Sequence, residues 1–243
     1  MKQGTQLLLL FFVFFLTAPV FAQKGLEVGV RVIPQSVWII NDDDAGRGAG
    51  LDYTRTWGMA YGLNIGYNFL NSLGIQTGVL LSGQGQKYVG DGSSGFETAQ
   101  TKLNYLKIPI MLKFNSDPES SVHFVGTAGI QIGLLTGAKY FSDEEEVDWT
   151  TLPLVPGDFD YKESYNKTDL SAAFSLGTRF RVTDSFNLGV SLRADYSLGD
   201  VENKEYMSKF TVLGIPVFDQ DRAPSTNLTG GIMIEANYVF GMD

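Results

Sequence analysis

Charged side chains recur at alternate positions inside the apolar segments of this sequence, and their spacing favours a network of ion pairs. Arg193 and Asp195 are two residues apart, as are Arg179 and Arg181, so in a β-strand each pair would lie on one face. Enclosed carboxylates and guanidinium groups pair with one another, because an isolated buried charge is very costly. The predicted network comprises Glu27, Arg31, Asp169, Arg179, Arg181, Arg193, Asp195 and Glu235.

His123 is the remaining candidate for acid–base chemistry. It is the only histidine, and the chain has no cysteine, which excludes disulfides and thiolate metal sites. No spacing brings a serine, a histidine and a carboxylate together, and a lone histidine does not make a catalytic site. We therefore predict no catalytic residue, no enzymatic activity and no cofactor.

Four long polar segments hold most of the carboxylates and one apolar patch. Acidic clusters can bind Ca²⁺ or Mg²⁺, but neither NDDDAGRGAGLD nor SDEEEVDW has the ligand spacing of an EF-hand. A solvated acidic surface is therefore the favoured interpretation, and metal binding stays open. The apolar patch of the third segment is compatible with a partner surface and equally with a fold-back over the rest of the protein. Its residues are Trp149, Leu152, Leu154 and Phe159.

The charged residues of the predicted network belong to segments with the two-residue period of β-strands, of which the sequence has eight. In residues 56–69, TWGMAYGLNIGYNF, large apolar side chains alternate with glycine, alanine and asparagine. These segments predict an all-β fold, an eight-stranded antiparallel up-and-down transmembrane β-barrel with both chain ends at the short-turn end. Short turns at 70–72, 115–120 and 183–185 alternate with long connections at 41–55, 90–99, 141–166 and 199–224.

The direction in which the large apolar face points distinguishes two locations for such a barrel. In a secreted, lipocalin-like barrel it would line the interior, whereas in an outer-membrane barrel it would face lipid. The opposite face of the second strand carries no charge with which to meet water. The corresponding faces of other strands carry charges of both signs, and opposite charges can pair across a narrow lumen. Tyr67 and Phe69 lie at a short-turn end and Trp57 at the other end, as bilayer interfaces select. The sequence thus predicts lipid outside and the charges inside.

Two irregularities are predicted within strands. Pro34 cannot donate a ladder hydrogen bond, which predicts a bulge in the first strand. In the fourth strand Leu103 and Tyr105 are out of phase with Ile108 and the apolar residues after it. A one-residue bulge near Leu106 would reconcile the two phases.

The start of the chain has the features of a secretory signal peptide. Lys2 precedes an apolar run from Leu7 to Leu16, and Val20 and Ala22 occupy the small-residue cleavage positions. We predict a signal peptide at 1–22 and an outer-membrane β-barrel domain at 23–243. Without Lys2, 17 basic residues against 27 acidic ones give a net charge of −10, which argues against a nucleic-acid partner.

The fourth-strand segment LNYLKIPIMLKF resembles the L-x-Y-L-E-I-P-L-L-L-K signature of the PorT-like outer-membrane β-barrel family of Bacteroidota, with Lys107 where that family often has an acidic residue. The segments VHFVGTAGIQIGLL and LRADYSLGDV are similar to further strands of that family. The resemblance implies an eight-stranded barrel, linked in some members to protein secretion across the outer membrane.

Three functions remain open. A structural or surface-interaction barrel would contact partners through its acidic extracellular loops, an accessory barrel would serve a secretion system, and a narrow porin or carrier would pass small solutes. The expected partners are outer-membrane lipid and lipopolysaccharide, with protein partners reached through the loops. The expected state is a monomeric barrel.

Overall fold

The computed structural model describes residues 25–46, 52–70, 72–90, 97–117, 120–149, 159–212, 215–216 and 221–240. Within this part of the chain neighbouring long strands pair antiparallel, and the first also pairs with the last, so the sheet closes on itself. The predicted eight-stranded antiparallel barrel is confirmed, whereas the predicted signal peptide lies outside the described residues. The barrel strands are β1 (Leu26–Ile40), β2 (Thr56–Asn68), β3 (Leu73–Val89), β4 (Thr98–Asn115), β5 (Val122–Ser142), β6 (Thr168–Arg181), β7 (Phe186–Ser197) and β8 (Thr226–Phe240).

Small elements lie within the long connections between the strands. They are the strand Asp52–Thr54 beside β3, the strand Glu145–Glu146 beside β5, the hairpin of Thr211–Val212 and Ile215–Pro216, the α-helices Asp42–Ala45 and Lys204–Met207, and the 3₁₀ helix Tyr161–Ser164. Among the residues that the structure describes, no helix has the length and apolar character needed to cross a bilayer.

The side chains alternate as an outer-membrane barrel requires. Leu63 and Ile234 on the outer face are 62% and 52% exposed, whereas Arg31 and Arg179 are each only 2% exposed. Aromatic residues form an exposed girdle at the short-turn end. The polar face is therefore internal and the large apolar face is available to lipid.

The bulge predicted at Pro34 is wrong, and the bulge predicted near Leu106 occurs on the neighbouring strand. Val32 pairs with Ile234 and Gln35 with Gly231, so the register of β1 against β8 is the same before and after Pro34. The proline therefore occupies β1 without inserting an extra residue.

β4 keeps one phase throughout, and Leu103 and Tyr105 point into the barrel, 0% and 1% exposed. A register shift does occur at Asn104/Tyr105, but the extra residue, Thr136, is on the neighbouring strand β5. What changes along β4 is the medium outside the barrel. Exposed Lys102 and Asn104 face outward at the loop end, and apolar residues face outward from Ile108 downward. The upper boundary of the lipid-facing band thus lies near Leu106.

Candidate functional site

Arg179 on β6 is the centre of an ion-pair cluster in the half of the lumen nearer the short turns. Its Nη1 lies 2.7 Å from Glu27 Oε2, and its Nη2 and Nε lie 2.6 and 2.8 Å from Glu235 Oε1. Lys113 Nζ donates a 2.5 Å hydrogen bond to Glu27 Oε2. Because Glu27, Lys113 and Arg179 come from β1, β4 and β6, these bonds cross the lumen.

Arg31 extends this cluster through weaker contacts. Its Nη2 lies 3.8 Å from Glu235 Oε2, and its Nε donates to Asn64 Oδ1 at 3.3 Å. Asn64 in turn donates to Asn237 Oδ1 at 2.9 Å. The cluster thereby reaches β2 and β8, and we call it the Arg179 cluster.

A second cluster surrounds Asp195 on β7. Lys107 Nζ lies 3.1 Å from Asp195 Oδ2, and Arg193 Nε lies 3.0 Å from Asp195 Oδ1. Gln131 joins both partners, since it donates to Asp195 Oδ2 at 3.2 Å and accepts from Arg193 Nη2 at 2.9 Å. This Asp195 cluster ties β4, β5 and β7 together.

The last two predicted network residues, Asp169 and Arg181, belong to neither cluster. Asp169 faces the lumen but accepts hydrogen bonds from Ser197 Oγ at 2.8 Å and from Asn227 Nδ2 at 3.4 Å. Arg181 Nη2 pairs at 2.9 Å with Asp184, a carboxylate that is 89% exposed in the turn after β6. The structure therefore brings the predicted charges together in the lumen except for Arg181, which lies at the rim.

The lumen is filled by these groups and by an apolar layer above them. Side chains in the ion pairs of the two clusters are at most 6% exposed, so water scarcely reaches them. At the long-loop end a buried apolar cluster, here called the lumen cap, closes the barrel. The cap consists of Ile39, Leu103, Tyr105, Leu135, Tyr165 and Val201.

Arg222 fastens two long loops above the lumen cap. Its Nη1 and Nη2 lie 2.7 and 2.6 Å from the two carboxylate oxygens of Asp44, and its Nε lies 3.1 Å from Glu202 Oε2. Burial disfavours the charge of Arg222, but hydrogen bonds to Asp44 and the attraction of Glu202 hold its pKa above the usual value. Burial also raises the pKa of Glu202, although Arg222 partly offsets this effect. The contacts of Arg222 with Asp44 and Glu202 therefore join the first and fourth long loops.

An aromatic cleft of about 570 Å³ lies beside the long-loop end of β5. Trp149 and Tyr161 stack with ring centroids 5.4 Å apart and planes 7° apart. Phe159 and Tyr140 lie 5.3 and 5.4 Å from the Trp149 ring. Charged residues complete the lining: Lys139, Glu146, Asp148 and Asp160.

The predicted loop patch is described only in part. Phe159 is 5% exposed and packs edge-on against Phe210, with ring centroids 5.0 Å apart. Trp149 is partly buried in the cleft wall. Leu152 and Leu154 lie outside the described residues.

Metal and histidine chemistry find little support in the geometry. In the described part of the chain, no group of three or more His, Asp or Glu side chains could hold a metal ion. His123 is 5% exposed at the short-turn end of β5, in register with Arg179 on β6.

Comparison with known proteins gives the family. A family model described as "Outer membrane protein beta-barrel domain" matches residues 21–203. The chain belongs to this family. Membership in the outer membrane protein beta-barrel domain family supports an outer-membrane location, and no curated protein matches the chain.

Several bacterial proteins have solved structures similar to that of this chain. OprG from Pseudomonas aeruginosa is 13% identical with a TM-score of 0.47, over 90% of this chain and 97% of that one. Neisserial surface protein A is 12% identical with a TM-score of 0.46, over 88% and 96%. Ail of Yersinia pestis, in complex with the heparin analogue sucrose octasulfate, is 14% identical with a TM-score of 0.42, over 90% and 100%. At these identities the likeness is one of fold alone.

Several residues of the clusters are missing from the predicted network. Lys107 and Lys113 are mid-strand charges of the polar face in the sequence, because they alternate with Ile108 and the apolar residues after it, but the predicted network does not include them. Gln131 has the same inward phase in β5. Arg222 lies in a loop without periodicity, so no sequence pattern pairs it with Asp44.

Proposed function

We propose that the protein is a closed, non-enzymatic outer-membrane barrel whose extracellular loops act as an interaction surface. The observation that carries the proposal is the contrast between a lumen crossed by ion pairs and an accessible aromatic cleft on the extracellular side. The lumen offers no passage, whereas the cleft offers aromatic area and charged groups to a partner.

The energetics of the lumen favour closure. A solute would have to separate Arg179 from both Glu27 and Glu235, and removing one partner of a buried ion pair costs about 3–5 kcal/mol. An eight-stranded barrel is also just wide enough for its own side chains to fill. The lumen cap adds a second, apolar obstruction.

Planar-bilayer recording tests the closed barrel. We expect the refolded full chain to give no stepwise conductance in 1 M KCl, because both clusters and the cap block the path. Sustained, reproducible steps from the wild-type protein would instead favour the narrow porin or carrier.

Photo-crosslinking in native outer membranes tests the interaction surface. A photoreactive amino acid at Asp148, in the cleft rim, is expected to capture a protein or envelope polymer. The matched control is the same amino acid at Glu205, an exposed position of another extracellular loop. Equal capture at both positions, or none at Asp148, would contradict a role for the cleft.

A PorT-like accessory role in secretion is the second candidate, and the fourth-strand motif favours it. Within that motif Tyr105, Lys107 and Lys113 face the lumen, where they take part in the cap and in both clusters. Co-purification from native outer membranes distinguishes the two candidates. Secretion components in stoichiometric amounts would support the accessory role, and a barrel free of them would oppose it.

A further inference from the structure

We infer that the outer wall of β2 to β5 carries a binding site for the phosphorylated headgroups of outer-leaflet lipid. Four basic residues lie side by side at the extracellular ends of these four neighbouring strands, and we call them the basic row. They are Arg55, Lys87, Lys102 and Lys139.

The strand register holds the basic row together. Lys102 is the direct cross-strand partner of Lys139 on one side and of Gly85 on the other. Lys87 is the partner of Thr54, the residue before Arg55. Neighbouring strands are about 4.8 Å apart, so four strands spread these cations over about 15 Å.

The basic row faces away from the lumen. Lys102 lies between Thr101 and Leu103, both of which are buried on the inner face, and its cross-strand partner Lys139 shares its side of the sheet. The Arg55 guanidinium lies 4.6 Å from the ring centroid of Trp57, a side chain that is 65% exposed on the outer wall.

The height of the basic row places it just above the headgroup layer, which extends about 5–8 Å beyond the hydrocarbon core, so its long side chains can reach down to the headgroups. A tilted barrel strand climbs about 2.5 Å per residue along the membrane normal. Lys102 is four residues beyond Leu106, where the lipid-facing band ends, and thus lies on the order of 10 Å above that boundary. Trp57, directly below Arg55, is the kind of residue that marks a membrane interface.

The charge distribution favours an anionic partner at this place. Arg55 and Lys102 have no carboxylate partner among the described residues, whereas Lys87 lies 3.6 Å from Glu144 and Lys139 lies 2.9 Å from Glu146. Glu146 already offsets the charge of Lys139, so a phosphate group would pair chiefly with Lys102 and Arg55, the two cations of the row that have no carboxylate partner among the described residues.

The opposite side of the barrel lacks such a site. Among the described residues, the extracellular halves of β6, β7, β8 and β1 have no outward-facing lysine or arginine. Lys167, just before β6, is paired with Glu163 at 3.2 Å, and exposed Asp42 and Asp43 follow β1. The basic row is therefore confined to one side of the barrel of an acidic protein. A membrane interface without preference for a particular lipid does not require such an asymmetry.

Native mass spectrometry of the full chain in detergent micelles tests the inference. The probes are diphosphorylated lipid A and the same lipid after removal of its phosphates. We expect the wild type to prefer the phosphorylated lipid, and Arg55→Gln with Lys102→Gln to weaken its binding about 25-fold, or about fivefold for each cation.

The matched control is Lys167→Gln with Lys209→Gln, which removes the same charge from exposed positions outside the basic row. Heat-dependent gel migration checks that every variant is folded. Equal affinity for the two lipids, or an equal loss in the control, would overturn the inference. Displacement of bound lipid A by millimolar inorganic phosphate would assign the row to a soluble anion and would also overturn it.

Discussion

Replacement of Arg179 by methionine tests whether the lumen network stabilises the barrel. The side chain is 2% exposed and contacts two carboxylates within 2.8 Å, so its loss leaves Glu235 with Arg31 alone, at 3.8 Å. Breaking a buried ion pair costs about 3–5 kcal/mol. We expect a loss within this range, because Glu235 loses its strongest partner and Glu27 loses one of two, keeping Lys113 at 2.5 Å.

The assay is urea unfolding in lipid vesicles, followed by tryptophan fluorescence, with Arg181→Met as the matched control. Arg181 pairs with a carboxylate that is 89% exposed, so its replacement should cost less than about 1 kcal/mol. Arg179→Met combined with Glu235→Gln should cost at least about 1 kcal/mol less than the sum of the single changes. Equal losses for Arg179→Met and Arg181→Met, or strict additivity in the double variant, would refute the reasoning.

Three further changes test other parts of the structure. Leu63→Arg on the lipid-facing wall should lower the free energy of unfolding in vesicles by about 2–4 kcal/mol. Asn104→Arg near the membrane boundary should lower it by at most about 1 kcal/mol, and equal losses would contradict the assigned membrane band. Gly62→Ala should destabilise by about 1–3 kcal/mol, because its Cβ would lie within 3.0 Å of the neighbouring strand, whereas Gly199→Ala meets nothing within 4 Å and should be neutral in the same assay. Because burial raises the pKa of Glu202 in the folded state, its contribution to stability is fully present below its unfolded pKa and is lost as pH rises through the folded value. Urea midpoints should therefore rise for Glu202→Gln relative to the wild type between pH 4 and pH 7, and a constant difference would contradict this sign.

The sequence was sufficient for the architecture because strand period and turn length are local properties. The alternation in Thr56–Asn68 predicted the side of every large residue in β2, and the structure exposes Trp57, Leu63 and Tyr67 accordingly. Which charged side chains pair with one another is not a local property of the sequence. Glu27 and Lys113 come together because of strand order and stagger around the barrel, which no single segment encodes.

The error in β4 has a physical cause that explains the layout of the whole lumen. The strands are longer than a bilayer requires, since β5 has 21 residues and about 9–11 suffice to span it. At membrane height the wall has lipid outside, so its inner face can carry paired charges such as Lys107 and Asp195. Above the membrane the wall is wetted outside by Lys102 and Asn104, and there the barrel needs an apolar interior as a soluble protein does.

Leu103, Tyr105 and Leu135 supply that interior. The apolar residues thus change sides while the backbone keeps its phase, and the same change locates the membrane boundary. The pattern that predicted a bulge in this strand instead marks the point at which its outer face passes from lipid into water. The lumen cap and the outward basic row are therefore two consequences of one feature, the extension of the barrel beyond the bilayer at its long-loop end.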